Sequence, residues 1–287
     1  QYTGHVKAIV GGRGAKTTSL SLNRATASPK QPGSCFKVLS TYAPGLNECG
    51  MTLATTIKDE PYRYASGQPV NNWDNKYIGS ARVRYAIEHS MNVCAVRTLT
   101  ETVGLEKGYK YLENFGFTTL VNNDPNYPGM SDIAQATALG GITRGVYNIE
   151  MTAAYAAIAN SGIYTEPLLY TEILDHDGNV LIDNSKPITR RVLKESTAFL
   201  LTSAMQDVIN RGTGTPARLN NMPAAGKTGT TENSTDLWLS AYTPYYTCSV
   251  WTGYDEDKTL EQFWNQSWHE VIWLSLIHIS EPTRLAL

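Results

Sequence analysis

The sequence predicts an α+β fold: a mostly antiparallel sheet flanked by helices, with a helical subdomain inserted. Three observations predict it. A strand-like segment stands near the start, HVKAIVGG at 5–12. A central block of segments with helical periodicity follows, each closing on glycine. Three consecutive strand-like runs then occupy the last third. The first strand is therefore expected to join the others from far away in sequence.

Each element has a local reason. HVKAIVGG alternates apolar and polar residues and ends in paired glycines that turn the chain; the GGRG it leads into lacks the Gly-Lys-Ser/Thr continuation of a phosphate loop and reads as a strand terminator. Residues 81–104 (ARVRYAIEHSMNVCAVRTLTETVG) and 105–116 (LEKGYKYLENFG) carry helical spacing up to a closing glycine, as do 149–162 and 193–214. Between these last two, EILDHDGNVLI (172–182) reads as a hairpin around Asp-Gly. GKTGTT (226–231), DLWLSAYT (236–243) and TCSVWTGYD (247–255) place β-branched and aromatic residues at alternate positions, the mark of strands.

Composition narrows the function classes. The 287 residues are 41% hydrophobic and 17% charged with a formal net charge of -2, so a chain of this size buries roughly 75% of its unfolded surface and needs no disulfide or metal to supply a core. Lys and Arg are scattered, which argues against nucleic acid. No apolar run approaches the roughly 18 residues of a membrane span, and the N-terminus shows no charged leader before an apolar stretch; the chain as given is expected to be soluble, cut from a longer parent. Cys35, Cys49, Cys94 and Cys248 form no C-x-x-C pair and no zinc spacing, and read as small buried hydrophobes. Asp175-His176-Asp177 sits at the hairpin tip, where turn chemistry explains it without a metal.

The chemistry begins at QPGSCFKVLS (31–40). Ser34 and Lys37, three apart on a helix, share a face, so Lys37 is within reach of the Ser34 hydroxyl. Pro32 and Gly33 set the helix start, placing Ser34 in the first turn, where free N–H groups favour developing negative charge. Cys35, Phe36, Val38 and Leu39 surround Lys37 and desolvate it, lowering its pKa toward that of a neutral base. A Ser-x-x-Lys arises about once per chain of this length by chance. Taken singly, Ser34 is a helix cap and Lys37 a snorkelling lysine. Two further motifs change that. Ser90-Met91-Asn92 lies in the helical region, and Lys227-Thr228-Gly229-Thr230-Thr231 lies on the first late strand. Ser21-Leu22-Asn23 precedes the nucleophile and reads as loop.

In this order the three motifs are the signature of penicillin-binding proteins and class A β-lactamases. QPGSCFK, TALGGITRGVYNIEMTAAYAAIANSG, AGKTGTTENSTDLWLSAYTP and SVWTGYD resemble the transpeptidase domain of class A, bifunctional penicillin-binding proteins over about residues 5 to 273, and VKAIVGGR resembles its opening strand. One departure is Cys35, where the family often carries a small hydroxyl residue; it leaves catalysis intact and makes the position oxidisable. The resemblance implies a penicillin-binding-protein/β-lactamase-like fold and a serine D,D-transpeptidase that cross-links peptidoglycan stem peptides, donor D-Ala-D-Ala to amine acceptor, through an acyl-enzyme that β-lactams also form. Ser34 is then the nucleophile, Lys37 its base and Ser90 a proton relay. Asn92 holds the substrate backbone, Lys227, Thr228 and Thr230 bind the terminal carboxylate, and Gly229 leaves the strand edge open to an extended peptide. The backbone N–H groups of Ser34 and Thr230 would form the oxyanion hole. No cofactor, metal or nucleic acid is implied. The rival readings are a D,D-carboxypeptidase or β-lactamase-type hydrolase, and a non-catalytic β-lactam sensor. The parent is expected to carry a glycosyltransferase domain and a membrane anchor, with this domain on the extracytoplasmic face.

The end of the chain is expected to be foreign. LSLIHISEPTRLAL (274–287) is not what the resemblance leads to after SWHEVIW, and 274–284 match the translation of a transposase-type sequencing adapter. The expected organisation is one transpeptidase domain over 1–273 and a non-native tail over 274–287, the shortened C-terminal helix leaving apolar sheet surface exposed.

Overall fold

The computed structural model of the chain describes residues 1–280. Its beginning departs from expectation, because residues 6–12 form no strand. His5 makes a single parallel bridge to Leu168, and Gly11 accepts from the Arg24 N–H. Pulled toward two different partners, residues 7–10 make no backbone hydrogen bond among the described residues, and Val10 is 81% exposed. A strand exists only by pairing, and alternation alone cannot supply the partner.

After the short helix α1 (Arg24–Ala27), the chain enters one continuous buried helical stretch in three windings: a 3-10 turn at Gly33–Cys35, a π-turn at Lys37–Tyr42, and α2 (Ala43–Glu48). Strands β1 (Thr56–Asp59), β2 (Tyr62–Arg63), β3 (Pro69–Val70) and β4 (Gly79–Arg82) pair antiparallel as β1–β4 and β2–β3. The helical periodicity of 81–104 is realised in pieces: α3 (Val83–Glu88), α4 (Asn92–Thr98) and a π-turn, Leu99–Val103. The break falls at Ser90, whose φ of 55° is left-handed and costly for a residue with a Cβ. Then come α5 (Leu105–Asn114) and α6 (Asn148–Ala159). Strands β5 (Ile163–Thr165), β6 (Glu172–Leu174), β7 (Val180–Asp183) and β8 (Thr189–Arg191) pair as β5–β8 and β6–β7, the latter being the expected hairpin. Its tip is built by Asp175, which accepts from the N–H groups of Asp177 and Asn179, a turn and not a ligand set.

Helix α7 (Glu195–Asn210) leads into the three late strands: β9 (Ala225–Thr230), β10 (Asp236–Tyr242) and β11 (Thr247–Gly253), antiparallel in the order β11-β10-β9. Strand alternation splits β10 between two cores. Trp238 and Tyr242 face the main core with the turn at Gly33–Cys35, α6 and α7; Leu239 and Ala241 face a smaller one. Helix α8 (Trp268–Ser280) covers that second face. Here the expectation of a bare sheet is corrected. Trp273 and Ile277, spaced i, i+4 on one helix face, are 0% and 1% exposed against Leu239 and Ala241, so residues 274–280 continue the helix and cover the sheet. All four cysteines carry free thiols, Cys35 and Cys94 buried.

Docking α8 buries two titratable groups, His269 and Glu270, each leaving a side-chain polar atom unpaired. Burial raises the Glu270 carboxyl to about 7 and lowers the His269 imidazole to about 4. The raised carboxyl favours the fold below its ordinary 4.5, and that contribution is lost as pH rises to about 7; the lowered imidazole acts oppositely, its contribution present above 6.5 and lost as pH falls through about 4. Above neutrality Glu270 alone is decisive. Glu270→Gln should therefore raise Tm relative to the parent by about 3 °C or more at pH 8, with the advantage shrinking toward pH 5, in a calorimetric or fluorescence pH series.

Candidate active site

The Ser34 turn is held by hydrogen bonds that pair side chains with main chain. The Gln31 side chain donates to the Ile142 carbonyl (2.5 Å) and accepts from the Ile142 N–H (3.2 Å), while Trp238 Nε1 donates to the Gln31 carbonyl (2.8 Å). Tyr155 of α6 donates its hydroxyl to the Cys35 carbonyl at 2.9 Å. Gly33 has φ +53°, and a Cβ there would lie 2.7 Å from the Thr230 carbonyl oxygen; a Cβ on Gly140, φ +81°, would lie 2.4 Å from the Gly33 carbonyl oxygen. Three main-chain segments thus stack at a spacing only glycine permits. This stacking sets Ser34 beside the end of β9.

Strand β9 is one of the two edge strands of its sheet among the described residues. The Thr231 N–H donates to the Asp236 carbonyl, and hydrogen-bonded pairs alternate along an antiparallel ladder, so Thr228 and Thr230 turn their backbone groups to the open edge. The outward Thr228 carbonyl is taken by the Lys227 ammonium (2.9 Å), and the Thr228 hydroxyl meets that of Thr213 at 2.6 Å.

Two buried lysines converge on one hydroxyl. Lys37 Nζ lies 3.1 Å from Ser90 Oγ and Lys227 Nζ 2.9 Å from the same atom. Lys37 also donates to the Ser90 carbonyl (2.5 Å) and to Asn92 Oδ1 (2.5 Å). Every one of these partners is neutral. Burial, reinforced by the charge on Lys227, holds Lys37 well below the usual lysine range, and burial brings Lys227 down to about 8. Two ammonium groups cannot share one hydroxyl in a dry site at low cost, so one proton fewer than two is the favoured state, with Lys37 the neutral member. A neutral amine has two hydrogens and one lone pair. The Ser90 carbonyl and Asn92 Oδ1 take the hydrogens, leaving the lone pair for a hydroxyl.

Ser34, Lys37, Ser90, Asn92, Lys227, Thr228, Gly229 and Thr230 are thus gathered around one cleft by the turn, the α3–α4 break and β9. One expected contact is absent: no hydrogen bond joins Lys37 to Ser34, whose hydroxyl is half-buried and has no partner among the described residues. Lys37 leaves from a π-turn, and its flexible stem reaches the α3–α4 break, where two carbonyl oxygens await it. Cys35 is also less reactive than expected. It is fully buried, donates to the Lys227 carbonyl (3.3 Å), and its thiol is pushed up to about 11 by burial, leaving almost no thiolate to oxidise. Sequence reasoning missed three participants: Thr213, and Asn72 with Asp59, which hold the start of α4. Among the described residues no group of three or more His, Cys, Asp or Glu is disposed to hold a metal ion.

The family profile described as penicillin binding protein transpeptidase domain matches residues 1–263. The chain is 37% identical to penicillin-binding protein 1A of Clostridium acetobutylicum over 97% of its own length and 35% of that protein. It is 36% identical to penicillin-binding protein 1F of Bacillus subtilis over 88% of its length and 34% of that relative. It therefore spans about a third of the curated relatives it matches. Among solved structures, penicillin-binding protein 1A from Haemophilus influenzae superposes with a TM-score of 0.70 at 26% identity, covering 83% of this chain and 40% of that one. PonA1 from Mycobacterium tuberculosis in complex with penicillin V gives 0.75 at 22% identity, covering 90% and 72%; at that identity the likeness speaks for the fold.

Proposed function

The chain belongs to the penicillin-binding protein transpeptidase family, and from that premise we propose that it is a serine D,D-transpeptidase acting on peptidoglycan stem peptides. The observation that carries the reading is the meeting of Lys37 and Lys227 on Ser90 Oγ, beside a nucleophile turn packed against the β9 edge.

In the proposed reaction a stem peptide lies along β9, its terminal carboxylate on the Lys227 charge and the Thr228 and Thr230 hydroxyls. Asn92 has one amide hydrogen and one lone pair left for the peptide backbone. Ser34 Oγ attacks the carbonyl carbon of the penultimate D-Ala, and its proton passes to neutral Lys37. For that step the Ser34 hydroxyl closes on the amine it does not touch at rest, as catalytic hydrogen bonds commonly do on substrate binding. The oxyanion is met by the N–H groups of Ser34 and Thr230, each worth roughly 3 kcal/mol by analogy with measured donors. The tetrahedral species collapses, the C–N bond breaks, and the leaving D-Ala amine takes a proton through Ser90, which draws on Lys37. An acceptor amine then attacks the ester and loses its proton to Lys37, and as the ester C–O bond breaks Lys37 returns that proton to Ser34 Oγ, restoring both groups. A β-lactam enters by the same first step. No helix among the described residues is long and apolar enough to cross a membrane, and we place the domain within a longer wall-synthesis protein at the outer face of the membrane.

Turnover of a D-Ala-D-Ala thioester, with and without a D-amino acid, tests this. Product that incorporates the acceptor is expected. Water-only product would move the assignment to a carboxypeptidase or β-lactamase-type hydrolase, and a stable adduct without turnover to a sensor.

A further inference from the structure

Asn92 is gripped from two sides by consecutive residues of the β3–β4 connection. The Asn71 carbonyl accepts from Asn92 Nδ2 at 2.7 Å, and Asn72 Oδ1 accepts the backbone N–H groups of Asn92 (2.9 Å) and Val93 (3.2 Å). Helix α4 has no cap of its own, since Met91 at its N-cap makes no side-chain hydrogen bond to it. Asn72 supplies that cap from 20 residues away. Its amide nitrogen donates in turn to Asp59 Oδ1 (2.8 Å) and to the Lys76 carbonyl (2.9 Å). Asp59 Oδ2 accepts from the Ile78 N–H at 2.8 Å. Asp59 and Asn72 are both buried.

We propose that Asp59 and Asn72 are positioning residues for acyl transfer: a buried relay from β1 that fixes the amide plane of Asn92 and, through it, the amine of Lys37. The proposal rests on the reading of Ser34 as the acylated group. Asn72 uses both its hydrogens and both its lone pairs, so its orientation is forced: turned over, it would set its NH2 against two N–H donors and its oxygen against a carboxylate. With the backbone of Asn92 capped and its Nδ2 held by Asn71, Asn92 Oδ1 must face Lys37. The opposite orientation would aim an NH2 at Lys37 and occupy the lone pair needed for the serine proton. Asp59 never touches substrate in this scheme. Its charge holds one end of a relay whose other end is the base.

Second-order acylation by a fluorescent penicillin, read with thermal unfolding, tests the relay in the full chain. Asn72→Ala should acylate roughly 10²-fold more slowly than the parent, the scale of a misplaced catalytic group. Asn72→Asp, which sets two carboxylates face to face, should be at least as slow. The exchange Asp59→Asn with Asn72→Asp restores one donor and one acceptor across the pair and should recover about tenfold or more of the rate lost by Asn72→Asp. A merely structural role would let the exchange recover Tm without recovering rate, and that result would overturn the proposal, as would an Asn72→Ala rate within about threefold of the parent's. If Asn72→Ala does not fold, the isosteric Asp59→Asn decides: a parent-like rate refutes the relay. A parent that takes up no penicillin refutes the Ser34 reading itself, whereas a labelled parent with equally fast variants refutes the relay alone.

Discussion

Ser34→Ala is expected to lose the covalent penicillin adduct completely, while the parent gains one adduct per chain by intact-mass measurement. Ser34 presents its hydroxyl from the turn packed against the end of β9, while two other hydroxyls of the cleft are already engaged. Ser90 Oγ is engaged by two lysines at 3.1 and 2.9 Å, and Thr228 Oγ1 by Thr213 at 2.6 Å. The Ser34 hydroxyl has no partner among the described residues to give up. The same fact makes the variant a clean test, because removing an unpartnered, half-buried hydroxyl leaves no orphaned group and creates no cavity of consequence. Tm should stay within about 1 °C of the parent's. An adduct persisting in Ser34→Ala, at any site, would remove the nucleophile from the mechanism.

Lys37→Met should slow acylation by ~10² or more, the usual scale for a positioned base, while the fold persists at a modestly lower Tm because the Ser90 carbonyl and Asn92 Oδ1 lose a donor. Methionine keeps the length and flexibility of the buried stem and removes an amine that has only neutral partners and a second lysine nearby. The pH profile separates the two lysines. In the proposed reaction Lys37 works deprotonated, so the parent's rate should rise with pH as Lys37 gives up its proton, at a pH well below the usual lysine range. Lys227 in the same proposal works as a cation, so the rate should fall again as pH passes about 8. In Lys37→Met the rising limb should vanish and the falling limb persist. A residual rate that still climbs with pH would assign the base elsewhere.

Much of this cleft was legible in the sequence because its members come as short motifs with local structural preferences. Glycine before Ser34, a glycine within the Lys-Thr-Gly strand and an apolar setting for Lys37 are one-dimensional signals, and the three late strands announced themselves by alternation. What the chain did not disclose depends on distance in three dimensions. Periodicity runs through Ser90 without a flaw, and only packing shows the helix broken there at a positive φ. Spacing put Lys37 near Ser34, but a four-carbon stem chooses among acceptors by what tertiary structure offers, and it chose Ser90 and Asn92. Asn72 lies 20 residues before Asn92 in the β3–β4 connection and Asp59 lies 33 before it at the end of the short strand β1, so nothing local links either to Asn92. The opening segment failed for the converse reason: its pattern is right for a strand, and past Val6 no neighbour among the described residues pairs with 7–10.

The stacking of Gly140 on Gly33 on Thr230 has an evolutionary corollary. Any lineage under antibiotic selection would profit from a cleft that discriminates a strained ring from a flexible dipeptide, yet the floor beneath the nucleophile admits not one extra methyl group. Adaptive change is thereby channelled outward to exposed side chains on the flanking connections, such as Trp73 next to Asn72 and Glu232 just after β9, where replacements meet water and not main chain. Resistance alleles of this domain should cluster there and leave positions 33 and 140 untouched.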